Sequence, residues 1–318
     1  MAKLNKQNFE KRTKTVNEFY EDFQLGNRVK NLSEMTILYY EQNLSYFFDY
    51  LSEVGIELLE DIRKSHIDRY IMWLRDKGLK DTTINTYLRA ARALLYFAMR
   101  EDHLESFSIS LIKANAEQKE PYSDEDIKKL IKKPDMKSIG FVEHRNWVMV
   151  NYLLETGNRL NTLLNIKIED IDLENGMVVL TTTKNRKVQY NPISEYLVLI
   201  LNTYIRSYNL DKDDNLFVNE VKEQLTRNSA QHAIARFNKK RGVKKTSIHA
   251  FRHTFAKHYI TSGGDAFKLQ RLLGHSTLDV TMNYVNLYSS DLKEGFNEHS
   301  VLNNFRKSDR LERGKRKL

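Results

Sequence analysis

The sequence predicts a mainly α-helical protein of two domains, with a small antiparallel β-sheet confined to the second. Three observations carry that prediction. The chain has 318 residues, room for about two domains of roughly 150 residues, each able to bury its own core. Apolar residues in its first third recur at steps of three and four, the period of one buried helix face. Further on, an Asn-Gly turn signal stands before a β-rich run, and helical periodicity resumes beyond it.

Residues 1–14 are polar and basic and read as a short tail. Residues 15–112 read as a helical domain. Tyr40, Leu44, Phe47, Phe48 and Leu51 form one stripe, and Ile67, Tyr70, Ile71 and Leu74 a second, stopped by Gly78. A third stripe, Ile84, Tyr87, Leu88, Ala91 and Leu95, follows Asp81, a good helix-opening residue. Around Ser110–Pro121 the periodicity fades into polar residues, which sets a linker at 113–121.

The second domain, 122–305, opens on Ser123-Asp124-Glu125-Asp126, the pattern of a capping box. A helix over His144–Thr156 is stopped by Gly157. Asn175-Gly176 marks a hairpin turn before the strand-like run Met177–Thr183, and Lys184-Asn185-Arg186 separates that run from Lys187–Ile193. Two or three antiparallel strands are expected there. Helices return over Tyr196–Tyr208, Ser229–Lys240, Ser247–Ser262 and Asp265–Leu273, with Gly263-Gly264 and Gly274 as stops. Phe296, Val301, Leu302 and Phe305 suggest a last helix, and residues 306–318, with seven Lys/Arg against two acids, a basic tail.

Composition narrows the function. With 41% hydrophobic and 29% charged residues the chain is ordinary globular material. It has no cysteine, which excludes disulfides, thiol nucleophiles and thiolate metal sites. No signal peptide is readable at the N-terminus. The longest apolar runs, 147–154 and 196–201, fall far short of the roughly 18 residues of a membrane span. A cytoplasmic protein with no membrane partner is expected. Fifty-one Lys plus Arg against 42 Asp plus Glu give a net charge of +9, a balance that favours a polyanionic partner. A basic but indifferent surface is the plainer alternative.

No phosphate-binding Gly-rich loop, dinucleotide fingerprint or HExxH motif is present, so ATP-driven and nicotinamide chemistry have no support. What stands out is His249-Ala250-Phe251-Arg252-His253. On a helix, positions 249, 252 and 253 share one face. Two imidazoles and a guanidinium fork gathered there suit an anionic phosphate. Two other readings compete. His249 and His253, with His258, form a candidate metal site, against which the adjacent Arg and the lack of a nearby carboxylate count. Histidines partnered within the core are the other.

Neighbouring segments add to this. Leu273-Gly274-His275-Ser276 ends one helix and leads into another, and Tyr284 follows nine residues after His275. Upstream, Thr156-Gly157-Asn158-Arg159 precedes Leu163-Leu164 and Asp170-Ile171-Asp172, and Lys184 sits at the hairpin turn. The order TGxRxxxLLxxxxxDID, hairpin Lys, HxxRH, LGHS and Tyr resembles the tyrosine recombinase (phage integrase) family. The resemblance covers nearly the whole chain. Ser33–Leu51 and Asp81–Met99 are similar to paired helices of that family's SAM-like core-binding domain, which leaves 122–305 as the α+β catalytic domain.

The resemblance implies a role for each matching residue. Tyr284 is the nucleophile that attacks a DNA phosphate, leaving a 3′-phosphotyrosyl link and a free 5′-hydroxyl. Arg159 and Arg252 clamp the non-bridging oxygens, and Lys184 protonates the departing 5′-oxygen. His249 serves as base and hydrogen-bond donor, and His275 completes the phosphate cradle. The phosphotyrosine conserves the bond energy, so no cofactor, neither ATP nor metal, is expected. The partners implied are double-stranded DNA with a specific recombination site and a homotetramer on synapsed sites, with an accessory directionality factor possible in principle. Integration, excision, transposition, inversion and dimer resolution all use this layout. Residues 1–14 leave no room for an additional arm-site-binding domain, so the simple two-domain layout is expected.

The residues themselves fit this chemistry. A tyrosine titrates near pH 10, so a phenolate nucleophile needs adjacent cations, and Arg159, Lys184 and Arg252 could supply them. Against that, Tyr284 is one of seventeen tyrosines, and Tyr288 is its nearest rival. Arg186 and Lys187 compete with Lys184. Thr162 stands where the family usually carries an acid, three residues after the first arginine, and Phe251 replaces the more usual Leu. In the first domain Thr82, Asn85, Arg89 and Arg92 lie opposite the buried stripe, a polar-basic face able to approach DNA or simply a solvated one. The two domains of the family form a C-shaped clamp around the duplex. Two rivals remain: a type IB topoisomerase-like nicking-closing enzyme, and a catalytically dead DNA-binding protein on the same fold.

Overall fold

A computed structural model describes residues 14–114, 120–181, 183 and 188–288. The chain divides into two compact units, Met1–Gln118 and Lys119–Leu318.

Among the described residues, the helices of the first unit are joined by short irregular connections and no strand is formed. Helix α1 (Val16–Val29) starts on a reciprocal cap, in which Thr15 Oγ1 accepts the Glu18 N–H and Glu18 accepts the Thr15 N–H. Helices α2 (Glu34–Glu53), α3 (Lys64–Asp76) and α4 (Asp81–Arg100) carry the three expected stripes. Leu44, Phe47 and Leu51 meet Ile67, Tyr70 and Leu74, and Ile84, Leu88, Ala91 and Leu95, in one buried cluster. Burying each large apolar side chain contributes about 1.5–3 kcal/mol, so the periodicity dictates the packing. One detail differs from the sequence reading. Lys80, not a side-chain cap at Asp81, precedes α4, and Asp81 is the first helical residue. There its carboxylate complements the positive end of the helix dipole.

The second unit is built around α6 (Phe141–Thr156), whose buried residues lie on every side of the helix. Such a helix cannot be amphipathic and must be central. Packed on it are α5 (Asp124–Ile131), α8 (Glu195–Ser207), α9 (Arg227–Lys240) and α10 (Ile248–Thr261). Ser123 caps α5 by accepting the Asp126 N–H at 3.1 Å. A short helix α7 (Leu160–Leu164) follows Gly157 and Arg159.

The sheet has three antiparallel strands in the order β1 (Ile171–Asp172), β2 (Met177–Leu180), β3 (Gln189–Pro192). Both longer strands are shorter than their β-rich runs, and Leu180 pairs with Gln189 at the end of the ladder. The Asn175-Gly176 turn forms as expected, built on Asp172, whose Oδ1 accepts the N–H groups of Glu174 and Asn175. Helices α11 (Ala266–Leu273) and α12 (Leu278–Tyr288) complete the unit, α12 against α10 and α11, and α11 against β3. No helix among the described residues is long and apolar enough to cross a membrane. Lys184, Phe296, Val301, Leu302, Phe305 and the 306–318 tail lie outside the described residues.

Candidate active site

The site forms where the ends of α6 and α11 meet the middle of α10. Two glycines allow it. Gly157 and Gly274 both take φ of +60°, a conformation that favours glycine. A Cβ on Gly157 would come within 2.6 Å of Phe255 and 2.9 Å of Leu273. One on Gly274 would meet Gln189 at 2.5 Å.

Both arginines rest on the carbonyl end of α11. Arg252 Nη2 donates to the Leu273 carbonyl at 2.8 Å, and its Nη1 donates to Gly157 O at 3.0 Å. Arg159, extended just ahead of α7, donates from Nη1 to Leu273 O at 3.3 Å and Gly274 O at 3.5 Å. Arg252 is only 3% exposed. Burial, followed by the like charge of Arg159, pulls its guanidinium down to about 10. Arg159 is likewise lowered by burial. Among the described residues neither makes an ion pair with a carboxylate. Two desolvated cations that repel one another are at a cost that an anion would relieve.

His275 follows Gly274 directly. Its Nδ1 lies 2.8 Å from Thr281 Oγ1. Burial and then the charges of Arg252 and Arg159 hold it down to about 4, so the ring is neutral at physiological pH. The Tyr284 ring lies parallel to that of His275, within 2°, at 6.1 Å between centroids. Tyr284 is 7% exposed. Burial raises its pKa, while Arg252, by charge and as a hydrogen-bond donor, and then Arg159 oppose the rise. The phenol is therefore protonated at neutral pH and needs a base before it can attack. His253 stands 5.4 Å from Tyr284 between ring centroids, and His249 sits edge-on to His253 at 4.8 Å.

The structure thus brings Arg159, Arg252, His275 and Tyr284 together, with the exposed His249 reached through His253. Lys184 lies outside the described residues. Arg159, Arg252, His275 and Thr162 line a cavity of about 700 Å³, beside which Tyr284 is buried. Among the described residues no group of three or more His, Asp or Glu is placed to hold a metal. His258 instead lies 3.5 Å from Asp124.

Sequence reasoning missed an amide network that supports this site. Asn191, 1% exposed, donates to Asn158 Oδ1 and to the Leu272 carbonyl, each at 3.1 Å. Gln189 Nε2 donates to Asn191 Oδ1 and also to Leu272 O, and Asn158 Nδ2 donates to the Tyr152 hydroxyl at 3.1 Å. These bonds tie β3 to the end of α11 on which the arginines rest. The signal was present in the period of two: Gln189 and Asn191 share one strand face, the inward one.

In the first unit, Thr82 and Arg89 are exposed and Arg92 is half-buried, but Asn85 is not on the solvated face. It is 6% exposed, its Nδ2 donates to Ile112 O at 2.9 Å and its Oδ1 accepts the Ile112 N–H at 3.0 Å. The expectation of a DNA-facing Asn85 is therefore corrected. A buried amide satisfying a backbone donor and acceptor fastens the segment after α4 back onto the helix.

The sequence profile of the phage integrase family matches residues 122–290, and that of the phage integrase N-terminal SAM-like domain matches residues 16–102. Tyrosine recombinase XerD of Staphylococcus haemolyticus is 29% identical over 279 residues, covering 85% of this chain and 93% of that one. The XerD of Staphylococcus aureus is 27% identical over 278 residues, with the same coverage. Among solved structures, the Tn1549 transposon integrase with circular intermediate DNA aligns with a TM-score of 0.69 at 22% identity, covering 85% of this chain and 95% of that one. The XerH site-specific recombinase bound to a palindromic difH substrate aligns at 0.68 and 22%, covering 88% and 83%. With the SAM-like helical unit ahead of an α+β unit, and the family profile spanning more than half of the sequence, the chain belongs to the phage integrase family and is a tyrosine recombinase.

Proposed function

We infer that this protein cleaves and rejoins double-stranded DNA at a specific site through a 3′-phosphotyrosyl intermediate on Tyr284. The observation that carries the reading is the buried Arg252 and the half-buried Arg159, held beside His275 and Tyr284 with no carboxylate paired to either among the described residues. A phosphodiester supplies the missing anion. In the five-coordinate transition state, charge grows on the non-bridging oxygens, where preorganised donors in a dry site act most strongly.

The steps balance without an outside energy source. The Tyr284 hydroxyl loses its proton to a base, and its oxygen bonds to phosphorus as the bond to the 5′-oxygen breaks. His249 is the base in this reading, with the His253 ring between it and Tyr284. Lys184 gives the departing 5′-oxygen its proton. A 5′-hydroxyl of another strand then attacks the phosphotyrosine and releases Tyr284. Neither a metal nor a nucleotide takes part in these steps.

The basic balance of the chain, +9, supports DNA as the partner. The exposed Thr82 and Arg89 of α4, with Arg92, are assigned to the duplex in this reading. The protein acts in the cytoplasm on nucleoid or element DNA, as a tetramer on two synapsed sites. Integration, excision or transposition of a mobile element, or resolution of joined DNA, is the biological class.

The test is covalent capture on DNA flanking the gene, with EDTA throughout and a detergent quench. The expected result is a protein–DNA adduct that is abolished in Tyr284→Phe. Salt-sensitive binding with no adduct would favour the binding-protein reading. Relaxation of supercoiled DNA lacking any such site would favour the topoisomerase-like one.

A further inference from the structure

His275 can act on a phosphate only through the ring nitrogen that Thr281 does not occupy, and which nitrogen carries the proton decides what it can do there. Two arrangements fit the 2.8 Å separation of Nδ1 and Thr281 Oγ1. Either Nδ1–H donates to the threonine oxygen, or the threonine hydroxyl donates to a bare Nδ1.

Other threonines of this chain separate the two. Thr156, Thr203, Thr254 and Thr261 each donate back to the carbonyl four residues earlier in their helix. Among the described residues Thr281 makes no such bond to Thr277, and His275 Nδ1 is the hydrogen-bond partner of its hydroxyl. Thr281 is fully buried, at 0% exposure. If Nδ1–H were the donor, the threonine proton would be stranded in the interior, where an unsatisfied donor carries its whole desolvation cost. With the hydroxyl donating, both groups are satisfied. A neutral ring then carries its one proton on Nε2. The neutral state has its own support, since burial, Arg252 and Arg159 all disfavour the imidazolium.

We propose that Thr281 is a positioning residue, whose hydroxyl donates to His275 Nδ1 and so fixes the tautomer that offers Nε2–H to a phosphate in the cavity shared with Arg159 and Arg252. Its action on phosphate rests on the function inferred above. Thr281 and Tyr284 are three residues apart on α12 and share a face. Seating α12 therefore brings the nucleophile and the group that sets the proton of His275 into place together.

The test is nitrogen NMR of the imidazoles in the full chain labelled at histidine, with His275→Gln identifying the resonance. The wild type is expected to show a protonated Nε2 and a bare Nδ1. Thr281→Val should shift His275 toward the other tautomer, and Thr281→Ser should restore the wild-type pattern, which a purely structural role would not do. On DNA captured as above, Thr281→Val should form adduct about ten- to a hundredfold more slowly, by analogy with losing the partner that orients a metal-bound imidazole, with Thr281→Ser close to wild type. A protonated Nδ1 in the wild type, or an unchanged tautomer in Thr281→Val, would overturn the proposal. The NMR result stands apart from DNA chemistry: a correct tautomer in a wild type that never forms adduct would refute the functional reading and leave the Thr281 bond established.

Discussion

The basic side chains of the two units are held in opposite ways. On α4 of the first unit, Arg89 is exposed, free to exchange water for phosphate at little cost. In the second unit, Arg252 is 3% exposed and shares the Leu273 carbonyl with Arg159. Folding gains little from that arrangement, because burial disfavours the charged form of both arginines and the charge of Arg159 further disfavours that of Arg252. The contrast separates an exposed basic surface from an enclosed basic site, which the proposed function assigns to one phosphate.

The comparison can be broken most sharply at Arg252. Arg252→Ala is expected to slow adduct formation by about 10²–10³-fold, as for loss of a preorganised oxyanion donor. Inorganic phosphate should raise the melting temperature of the wild type, by linkage, and raise that of Arg252→Ala less. Equal shifts in both would show that the cradle does not hold the anion.

Asn85→Ala comes next. It leaves the Ile112 N–H without its partner, which costs about 1–3 kcal/mol, readable in urea unfolding. Site binding by the folded fraction should be unchanged, because Asn85 faces the interior.

Acid sensitivity sharpens the electrostatic side. The folded state holds His275 near 4, against an ordinary value of 6.5. Between those values the unfolded chain binds the proton and the folded one does not, so this contribution to stability is present above pH 6.5 and lost as pH falls toward 4. His275→Gln should remove that part of the slope in unfolding midpoints measured across the window. The smallest effect is expected from Arg89→Ala: modestly weaker binding, with a salt dependence reduced by about one phosphate contact, and an unchanged rate of cleavage once DNA is bound.

The same contrast explains what could be read in advance. Stripes such as Ile67, Tyr70 and Leu74 specify their own burial, because period and hydrophobicity are properties of a local segment. Gly157 and Gly274 announced helix ends, and both proved to be the left-handed stops that shape the site. Arg159, Arg252, His275 and Tyr284 were singled out by the motifs that carry the family resemblance, and the structure brings the four together. Asn85 misled because its position on the helix wheel is polar, while its partner, Ile112, lies 27 residues away. The Asn158–Asn191–Gln189 network and Thr281 escaped for a related reason. Their meaning lies in carbonyls and ring nitrogens on other elements, such as Leu272 and His275, which no local pattern encodes.

The central claim is that the cradle of Arg159, Arg252 and His275 serves Tyr284. Its most direct test is to digest the trapped adduct with nuclease and protease and to locate the attached nucleotide by peptide mass spectrometry. The account predicts a 3′-phosphonucleotide on Tyr284. A nucleotide on Tyr288, or on any residue away from that cradle, would contradict it.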